Sequence, residues 1–270
     1  MIVEGMLVDG NNTIFPKNYV LNAVKEVDKD HPGIYKDAID ILSKGEDRDK
    51  AVSKAYSLFN KYGITDVEYY LANKRVMGET EIAEPFKKVV RENPYLKMIG
   101  VLTHSDFIST FANIYEHLDP LTPAKILPFT TGIEMDKYGV IKKHPTDIID
   151  SSARAEIAEG LSKIIKVVGI GDKDWGINLD FVGKCHAGIE IDNQMNDYKR
   201  KKGKDAVFVG GISDLPNMFK EIYKLPDPKI NNKKPLEYYF QKILDNLEPG
   251  EPIPRFLDKP EFNSELSIMV

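Results

Sequence analysis

The sequence is poor in several features that mark other classes of protein. It has one cysteine, Cys185, among 270 residues, so an internal disulfide cannot form and a disulfide-built extracellular scaffold is excluded. Its net charge is -5, which leaves no overall positive field to hold DNA or RNA. It also has no run of about 18 consecutive apolar residues, which a membrane-spanning helix requires. We therefore expect neither a nucleic-acid partner nor a membrane span.

We also expect neither a histidine-based metal site nor a secretion signal. The five histidines are not arranged in short ligand spacings such as His-x-x-x-His, which argues against a zinc site. The first apolar run, MIVEGMLVDG, is too short for a signal peptide and is interrupted by an acidic residue and a glycine. A cytoplasmic protein is the expectation.

Three apolar runs rich in β-branched residues are present: Met1 to Val8, Met98 to Leu102 and Val167 to Ile170. A strand covered on both faces shows such a continuous run, whereas a half-exposed strand alternates apolar and polar residues. Apolar residues at helical spacing follow the second run and precede the third. This alternation of strand and helix predicts right-handed crossovers and an open parallel sheet.

The stretch 16–94 differs, because it lacks strand-like runs and is rich in Lys, Asp, Glu, Ala and Tyr, which predicts helices. A helical block inserted after the first strand is expected to be a cap over the carboxyl ends of the strands, where open α/β sheets bind ligands. The predicted fold is α/β: a three-layer Rossmann-like parallel-sheet core, 1–15 and 95–225, with the helical cap 16–94 inserted. The proline-rich stretch 226–270 is expected to pack on the core as an extension.

The end of the first predicted strand carries the strongest local signal. Here Asp9 is followed by Gly10, Asn11, Asn12 and Thr13. A carboxylate at the carboxyl edge of a central strand can attack a phosphoryl group while the backbone amides of the turn surround that group. Because Asp and Asn are also common turn formers, this segment by itself is equally consistent with an ordinary turn.

Four segments together resemble the motifs of the haloacid dehalogenase superfamily, in the family's order along the chain. The first is the strand ending in Asp9, with Thr13 and then Ile14-Phe15 in register. The resemblance implies that Asp9 is the nucleophile. Family phosphatases carry a second Asp at the position of Asn11, where it protonates the leaving group and later activates water.

The second segment is the strand 98–102 followed by Thr103, His104 and Ser105. The family's second motif ends in a Thr or Ser whose hydroxyl binds the transferring phosphoryl group, which implies this role for Thr103, with Ser105 as the alternative. His104 is a candidate proton donor near the phosphoryl group. Thr103 and Ser105 are also residues that commonly begin a helix.

The third segment begins the helix before the third predicted strand, where the family carries a Lys or an Arg. Arg154 occupies that place, so the resemblance implies that its cation holds the nucleophile and the phosphate together. Arg keeps the charge of Lys but differs in reach and geometry. Lys142 and Lys143 are alternatives, and Arg154 could instead pair with a nearby acidic residue such as Asp150.

The fourth segment is the strand 167–170 followed by Gly171-Asp172, which resembles the family's magnesium-binding motif. The family's second acidic residue would fall at or near Gly176, so Asp174 or Asp180 must substitute or that ligand is absent. Magnesium takes hard oxygen ligands and readily keeps several waters, so one missing carboxylate does not forbid the site.

The resemblance implies a Mg²⁺-dependent phosphatase that acts on a small phosphorylated molecule through an aspartyl-phosphate, slowly because Asn11 cannot act as an acid. A homodimer is compatible with it. The alternative is an inactive relative with a binding or regulatory role. The implied site residues are catalytic Asp9, Asn11, Thr103 and Arg154; substrate-binding Gly10, Asn12, Thr13, His104 and Ser105; and metal-binding Asp9, Asn11 and Asp172.

Overall fold

The computed structural model describes most of the chain up to residue 230. The described residues are 1–10, 13, 19–44, 48–76, 82–112, 116–131, 134–143, 151–172, 179–202, 206–230, 234–235 and 238. The strands are β1 Gly5–Asp9, β2 Met98–Asp106, β3 Lys125–Thr131, β4 Glu134–Met135, β5 Ile141–Lys143, β6 Val167–Asp172, β7 Ala187–Ile191, β8 Lys199–Arg200 and β9 Val207–Gly210.

The helices separate the strands in the alternation that the sequence predicts. They are α1 Tyr19–Val27, α2 Ile34–Leu42, α3 Arg48–Tyr62, α4 Asp66–Val76, α5 Glu84–Glu92, α6 Phe107–Thr110, α7 Glu116–Leu118, α8 Ser151–Ser162, α9 Leu179–Lys184 and α10 Leu215–Tyr223. Short 3₁₀ turns at Asp119–Leu121 and Ile212–Asp214 complete the described elements. No helix within the described ranges has the length and apolar character needed to cross a bilayer.

Seven strands form one sheet in the order β3-β2-β1-β6-β7-β9-β8. Every neighbouring pair is parallel except β8 and β9, which are antiparallel at one edge. The three strands predicted from apolar runs are β2, β1 and β6, and they lie side by side at the centre of the sheet. The prediction of buried parallel strands is confirmed, since every residue of β1 and β6 is buried.

Helices cover both faces of the sheet and give the predicted three layers. On one face, α5 and α10 pack against Met6, Val8 and Ile170. On the other face, α8 and α9 pack against Leu7 and Leu102. Because successive residues of a strand point to opposite faces, β1 supplies both cores from adjacent positions.

Strand β3 is the main element of the sheet that the sequence analysis did not identify. It contains Pro128, which lacks the amide needed for a ladder hydrogen bond and argues against a central strand. The structure resolves the conflict by placing β3 at the edge of the sheet, where it pairs with β2 alone.

Helices α1 to α4, residues 19–76, form what we call the helical insert. They share a buried cluster that includes Ala23, Ile34, Phe59 and Tyr69. Helix α3 ends at Tyr62 because Gly63 follows with φ 68, a left-handed conformation that glycine adopts readily. Whether the insert and the sheet are separate domains with the predicted boundaries stays a prediction.

Two other segments refine this picture. Helix α5, which the sequence analysis grouped with the insert, buries Phe86 in the core cluster of the sheet. The hairpin β4-β5, which follows β3, instead contributes Ile141 to the cluster of the insert. The hairpin is tied to the start of α4 by hydrogen bonds from Asp66 N to Gly139 O (2.9 Å) and from Ile141 N to Ile64 O (3.0 Å). The insert and the hairpin therefore share one core.

A histidine at the amino edge of the sheet leads to a prediction about acid stability. Nδ1 of His186 accepts a hydrogen bond from the backbone amide of Val167 (3.2 Å), which requires that nitrogen to be unprotonated. Burial lowers the pKa of His186, Lys166 lowers it further and Glu4 opposes them. The unfolded chain therefore binds a proton more readily than the folded chain as the pH falls below the ordinary value of 6.5, so folding stability should fall there.

We expect His186→Asn to reduce this acid sensitivity, because the Asn side-chain oxygen can accept the same hydrogen bond and does not titrate. The thermal unfolding midpoint of the wild type should fall more steeply than that of the variant between about pH 7 and about pH 5. Parallel curves for the two proteins over this range would contradict the prediction.

Candidate active site

The carboxyl edge of the three central strands brings together polar residues that are distant in sequence. Asp9 ends β1 and pairs in register with Leu102, so Thr103 is the next residue on β2. Val8 pairs with Ile170, which places Asp172 within one residue of the level of Asp9 on the other neighbour, β6. Adjacent strands lie about 4.8 Å apart, so the backbones of Thr103 and Asp172 flank Asp9 at roughly one strand spacing on each side.

All three of these side chains belong to buried residues: Asp9 is 3%, Thr103 0% and Asp172 3% exposed. Buried acidic residues are rare in protein cores unless they are paired, hydrogen-bonded or bound to a metal. Two such carboxyl groups on adjacent strand ends therefore need compensating positive charge. Their arrangement is typical of a ligand site and unusual for a purely structural edge.

Arg154 supplies one positive charge. It lies in the first turn of α8, and its Nη1 donates to Oδ1 of Asp9 over 3.3 Å. Both side chains are almost completely buried, at 1% and 4% exposure. Arginine keeps its charge under all conditions in which proteins are folded. The contact joins residues 145 positions apart in the chain, and it brings the predicted cation to the predicted nucleophile.

The hydroxyl of Thr103 is oriented by the end of its own strand. Its Oγ1 accepts a hydrogen bond from the backbone amide of Ser105 (3.0 Å). A hydroxyl can accept a hydrogen bond and donate one at the same time, so the side chain of Thr103 has the chemistry to bind an anionic oxygen. Ser105, the predicted alternative to Thr103, is also buried. Its described hydrogen bond is the one from its backbone amide, which orients the Thr103 hydroxyl.

Gly10 and Thr13, which follow β1, differ in whether their polar groups have partners. The amide of Gly10 donates to the carbonyl of Leu102 (3.1 Å), so it continues the pairing of β1 with β2 and is not directed at a ligand. Thr13 is buried, and within the described residues its Oγ1 has no hydrogen-bond partner. An unsatisfied buried hydroxyl costs free energy, and a bound phosphate oxygen would satisfy it.

Several predicted site residues lie outside the described residues. These are Asn11, Asn12 and Asp174, together with the side chains of His104, Lys142, Lys143 and Asp180. Their predicted roles therefore stay predictions.

The carboxylates present suit magnesium. Asp9 and Asp172 offer hard oxygen donors on adjacent strands, and Mg²⁺ commonly uses one or two carboxylates while keeping several waters. Within the described part of the chain, no group of three or more His, Cys, Asp or Glu side chains could hold a metal. A magnesium site would thus need the carbonyl of Asn11 and water to complete its coordination.

Asp106, at the end of β2, is a polar residue to which the sequence motifs assigned no role in the site. Asp106 is completely buried and caps α6, since Oδ1 accepts from Ser109 N (2.7 Å). Its Oδ2 accepts from the hydroxyls of Tyr56, Tyr69 (2.9 Å) and Ser109 (2.9 Å). The two tyrosines lie on α3 and α4, so the helical insert is bonded to the end of β2. We call these four residues the Asp106 cluster.

The local electrostatics of the cluster keep Tyr56 protonated. Burial and the nearby Asp106 carboxylate raise the pKa of Tyr56 well above its ordinary value. A protonated hydroxyl can donate to the carboxylate and also accept from the amide of Asp106, which it does over 3.0 Å. The spacing Ser105-Asp106-Phe107 could signal a cap in the sequence, but no local pattern links it to tyrosines 37 and 50 residues earlier.

The architecture of the chain is similar to that of several solved structures. A substrate-bound phosphoserine phosphatase complex is 15% identical, covering 70% of this chain and 86% of the other, with a TM-score of 0.52. A probable phosphoserine phosphatase from Vibrio cholerae is 10% identical over 83% of this chain and 69% of the other, with a TM-score of 0.54. A HAD family hydrolase from Salmonella enterica serovar Typhi is 12% identical over 70% and 62%, with a TM-score of 0.51.

These likenesses define the class of fold. No protein-family model matches the chain, and no curated protein matches it in sequence. At such low identity the structures are informative about architecture alone. The chain has the haloacid-dehalogenase-like α/β fold of these structures, which confirms the fold that the sequence resemblance implied.

Proposed function

We propose that this protein is a Mg²⁺-dependent phosphatase that hydrolyses a small phosphate monoester through an aspartyl-phosphate at Asp9. The observation that carries the proposal is the buried contact between Arg154 Nη1 and Asp9 Oδ1 at 3.3 Å, at a strand edge that also holds Thr103 and Asp172. A nucleophile, a cation, a hydroxyl and a second carboxylate are the groups that phosphoryl transfer to a carboxylate requires.

In the proposed reaction a carboxylate oxygen of Asp9 attacks phosphorus and the ester oxygen leaves with its bonding electrons. Water then attacks the aspartyl-phosphate, which restores Asp9 and releases inorganic phosphate. Arg154 and the hydroxyl of Thr103 stabilise the charge on the phosphoryl oxygens. Mg²⁺, held by Asp9, Asp172 and the carbonyl of Asn11, would offset the remaining negative charge when bound.

Protonation of the leaving group is the step for which this site is least well equipped. Asn11 has no carboxyl group, and general acid-base catalysis is worth about 10²- to 10⁴-fold in rate. We therefore propose slow turnover, fastest for esters whose leaving group needs little protonation, such as aryl phosphates. Release of inorganic phosphate from a panel of aryl phosphate, phosphoserine and other small monoesters, with Mg²⁺ and with EDTA, tests the proposal.

Asn11→Asp should raise kcat on the less reactive alkyl esters by about 10²-fold, because it restores a carboxyl group at the acid position. The matched control is Asn217→Asp, the same change at an exposed position in α10, which should leave kcat within about twofold of wild type. An Asn11→Asp enzyme no faster than this control on every ester would contradict the assigned role of position 11.

The second candidate function is phosphate-ester binding without turnover, which the presence of Asn11 favours. It predicts that calorimetry detects Mg²⁺-dependent binding of inorganic phosphate while no ester in the panel is hydrolysed. Hydrolysis that requires Mg²⁺ and Asp9 would exclude this candidate.

A further inference from the structure

The Asp106 cluster does more than cap a short helix. Capping needs only Oδ1 of Asp106 and the amide of Ser109, which lie 2.7 Å apart. The other carboxylate oxygen accepts from two tyrosines of the helical insert, and a cap gives no reason for those bonds. Within the described residues, the partners of this completely buried carboxyl group are hydroxyls and a backbone amide, and no ion pair involves it. Hydrogen bonds from these donors therefore compensate for its burial.

The cluster also continues along the end of β2 to Thr103. The amide of Asp106 donates to the hydroxyl of Tyr56 (3.0 Å), and the amide before it, of Ser105, donates to Oγ1 of Thr103 (3.0 Å). Two consecutive amides at the end of β2 are thus held, one by the insert and the other by the predicted phosphoryl-binding hydroxyl. A change in the position of the insert must move the first amide and is transmitted to the second through one peptide unit.

We propose that Asp106 is a positioning residue that couples the helical insert to Thr103, so that the insert must be seated on β2 for the phosphoryl-binding hydroxyl to be correctly placed. The proposal rests on the proposed function of Thr103 and extends it to the insert. Misplacement of a catalytic group by about 1 Å can lower a rate by about 10²-fold. The tyrosine hydroxyls therefore affect turnover without touching the substrate.

The test removes one hydroxyl at a time and keeps the buried ring. Tyr56→Phe removes the described bonds to both the carboxylate and the amide of Asp106, whereas Tyr69→Phe removes a described bond to the carboxylate. The control is Tyr62→Phe, which lies on α3 like Tyr56 but donates to Asp37 within the insert (2.9 Å). All three variants lose one hydroxyl, so a difference between them shows that the location of the lost hydrogen bond matters, and not only its loss.

With an aryl phosphate and Mg²⁺ we expect kcat to fall about tenfold in Tyr56→Phe and less in Tyr69→Phe, with KM within about twofold, because Thr103 acts mainly in the transition state. Tyr62→Phe should keep both constants within about twofold of wild type. A merely structural role would lower the unfolding midpoint of Tyr56→Phe and leave the kcat of its folded fraction equal to that of Tyr62→Phe, which would overturn the proposal.

Amide hydrogen exchange gives a readout that does not depend on turnover. In Tyr56→Phe, exchange of the peptide that spans 103–109 should be about tenfold faster than in wild type, and in Tyr62→Phe it should be unchanged. Faster exchange in Tyr56→Phe, together with a wild type that hydrolyses no ester, would support the coupling while the proposed function fails. An active enzyme whose Tyr56→Phe variant changes neither exchange nor kcat would refute the coupling and leave the proposed function intact.

Discussion

Replacing Asp9 by asparagine is expected to lower phosphate release by at least about 10⁴-fold, since loss of a nucleophile removes the covalent route altogether. Asn has nearly the same shape as Asp, so packing at the end of β1 should change little. The measurement is kcat on an aryl phosphate with Mg²⁺. Trapping of acid-stable, labelled protein from a phosphate donor should fail in parallel, because the amide of the Asp9→Asn variant cannot form an acyl phosphate.

The matched control for this variant is Asp28→Asn. Asp28 accepts hydrogen bonds from the amides of Gly33 and Tyr35 in the helical insert (2.9 and 3.0 Å), and an Asn oxygen can accept the same bonds. It should retain wild-type kcat within about twofold. If Asp9→Asn keeps more than about one tenth of wild-type kcat, the carboxylate of Asp9 is not the nucleophile and the aspartyl-phosphate mechanism fails.

Replacement of Arg154 by methionine is expected to cost about 3 to 5 kcal/mol of unfolding free energy, because it leaves a buried carboxylate without its cation. The double variant Asp9→Asn with Arg154→Met should recover much of this loss, since neither charge is then buried alone. Urea unfolding of the wild type, both single variants and the double variant gives the coupling free energy directly.

An ion pair whose arginine is exposed supplies the control for that cycle. Nη1 of Arg75 lies 3.6 Å from Oε1 of Glu26, and the two side chains are 57% and 14% exposed; ion pairs at the protein surface contribute about 0 to 1 kcal/mol. Arg75→Met should therefore change the unfolding free energy by less than about 1 kcal/mol. An Arg154→Met variant as stable as Arg75→Met would show that the buried contact with Asp9 does not compensate for the burial of that carboxylate.

The central strands of the sheet were predictable because a strand that is buried on both faces consists almost entirely of apolar residues. The runs that become β1, β2 and β6 are continuous and apolar for that reason. The edge strand β3 was not predicted because it contains Pro128. Proline has no amide to donate a hydrogen bond to a neighbouring strand, so it is acceptable only where one side of the strand has no partner. The place of α5 was not readable either, because an amphipathic helix does not specify which core covers its apolar face.

Helix α4 shows where an apolar pattern misleads. Val67 and Leu71 are apolar and lie four residues apart, as the buried face of a helix would require, yet they are 60% and 45% exposed. The buried face contains Tyr69 and Asn73, and Asn73 is satisfied there because its side-chain amide donates to the carbonyl of Tyr69 (2.9 Å). A polar residue with a local partner can be buried, so the presence of a helix was predictable while its orientation was not.

The candidate site was also predictable only in part. Parallel strands deliver their carboxyl ends to one edge, so the family resemblance implied that Asp9, Thr103 and Asp172 lie near one another, and the structure places them on adjacent strands. The contact of Arg154 with Asp9 needed the family resemblance, because a helical arginine has many nearby acidic residues. The Asp106 cluster could not be predicted, since it depends on how the insert meets β2.

The shared core of the insert and the hairpin limits how this protein can be recombined with others of its fold. A chimaera that exchanged 19–76 alone would leave Ile141, which is 0% exposed, facing helices that did not evolve with it. Loss of such a contact typically costs about 2 to 5 kcal/mol, a large part of the stability of a domain. Transplanting 19–76 together with 134–143 should give folded hybrids more often, because the two segments bury one common set of apolar side chains.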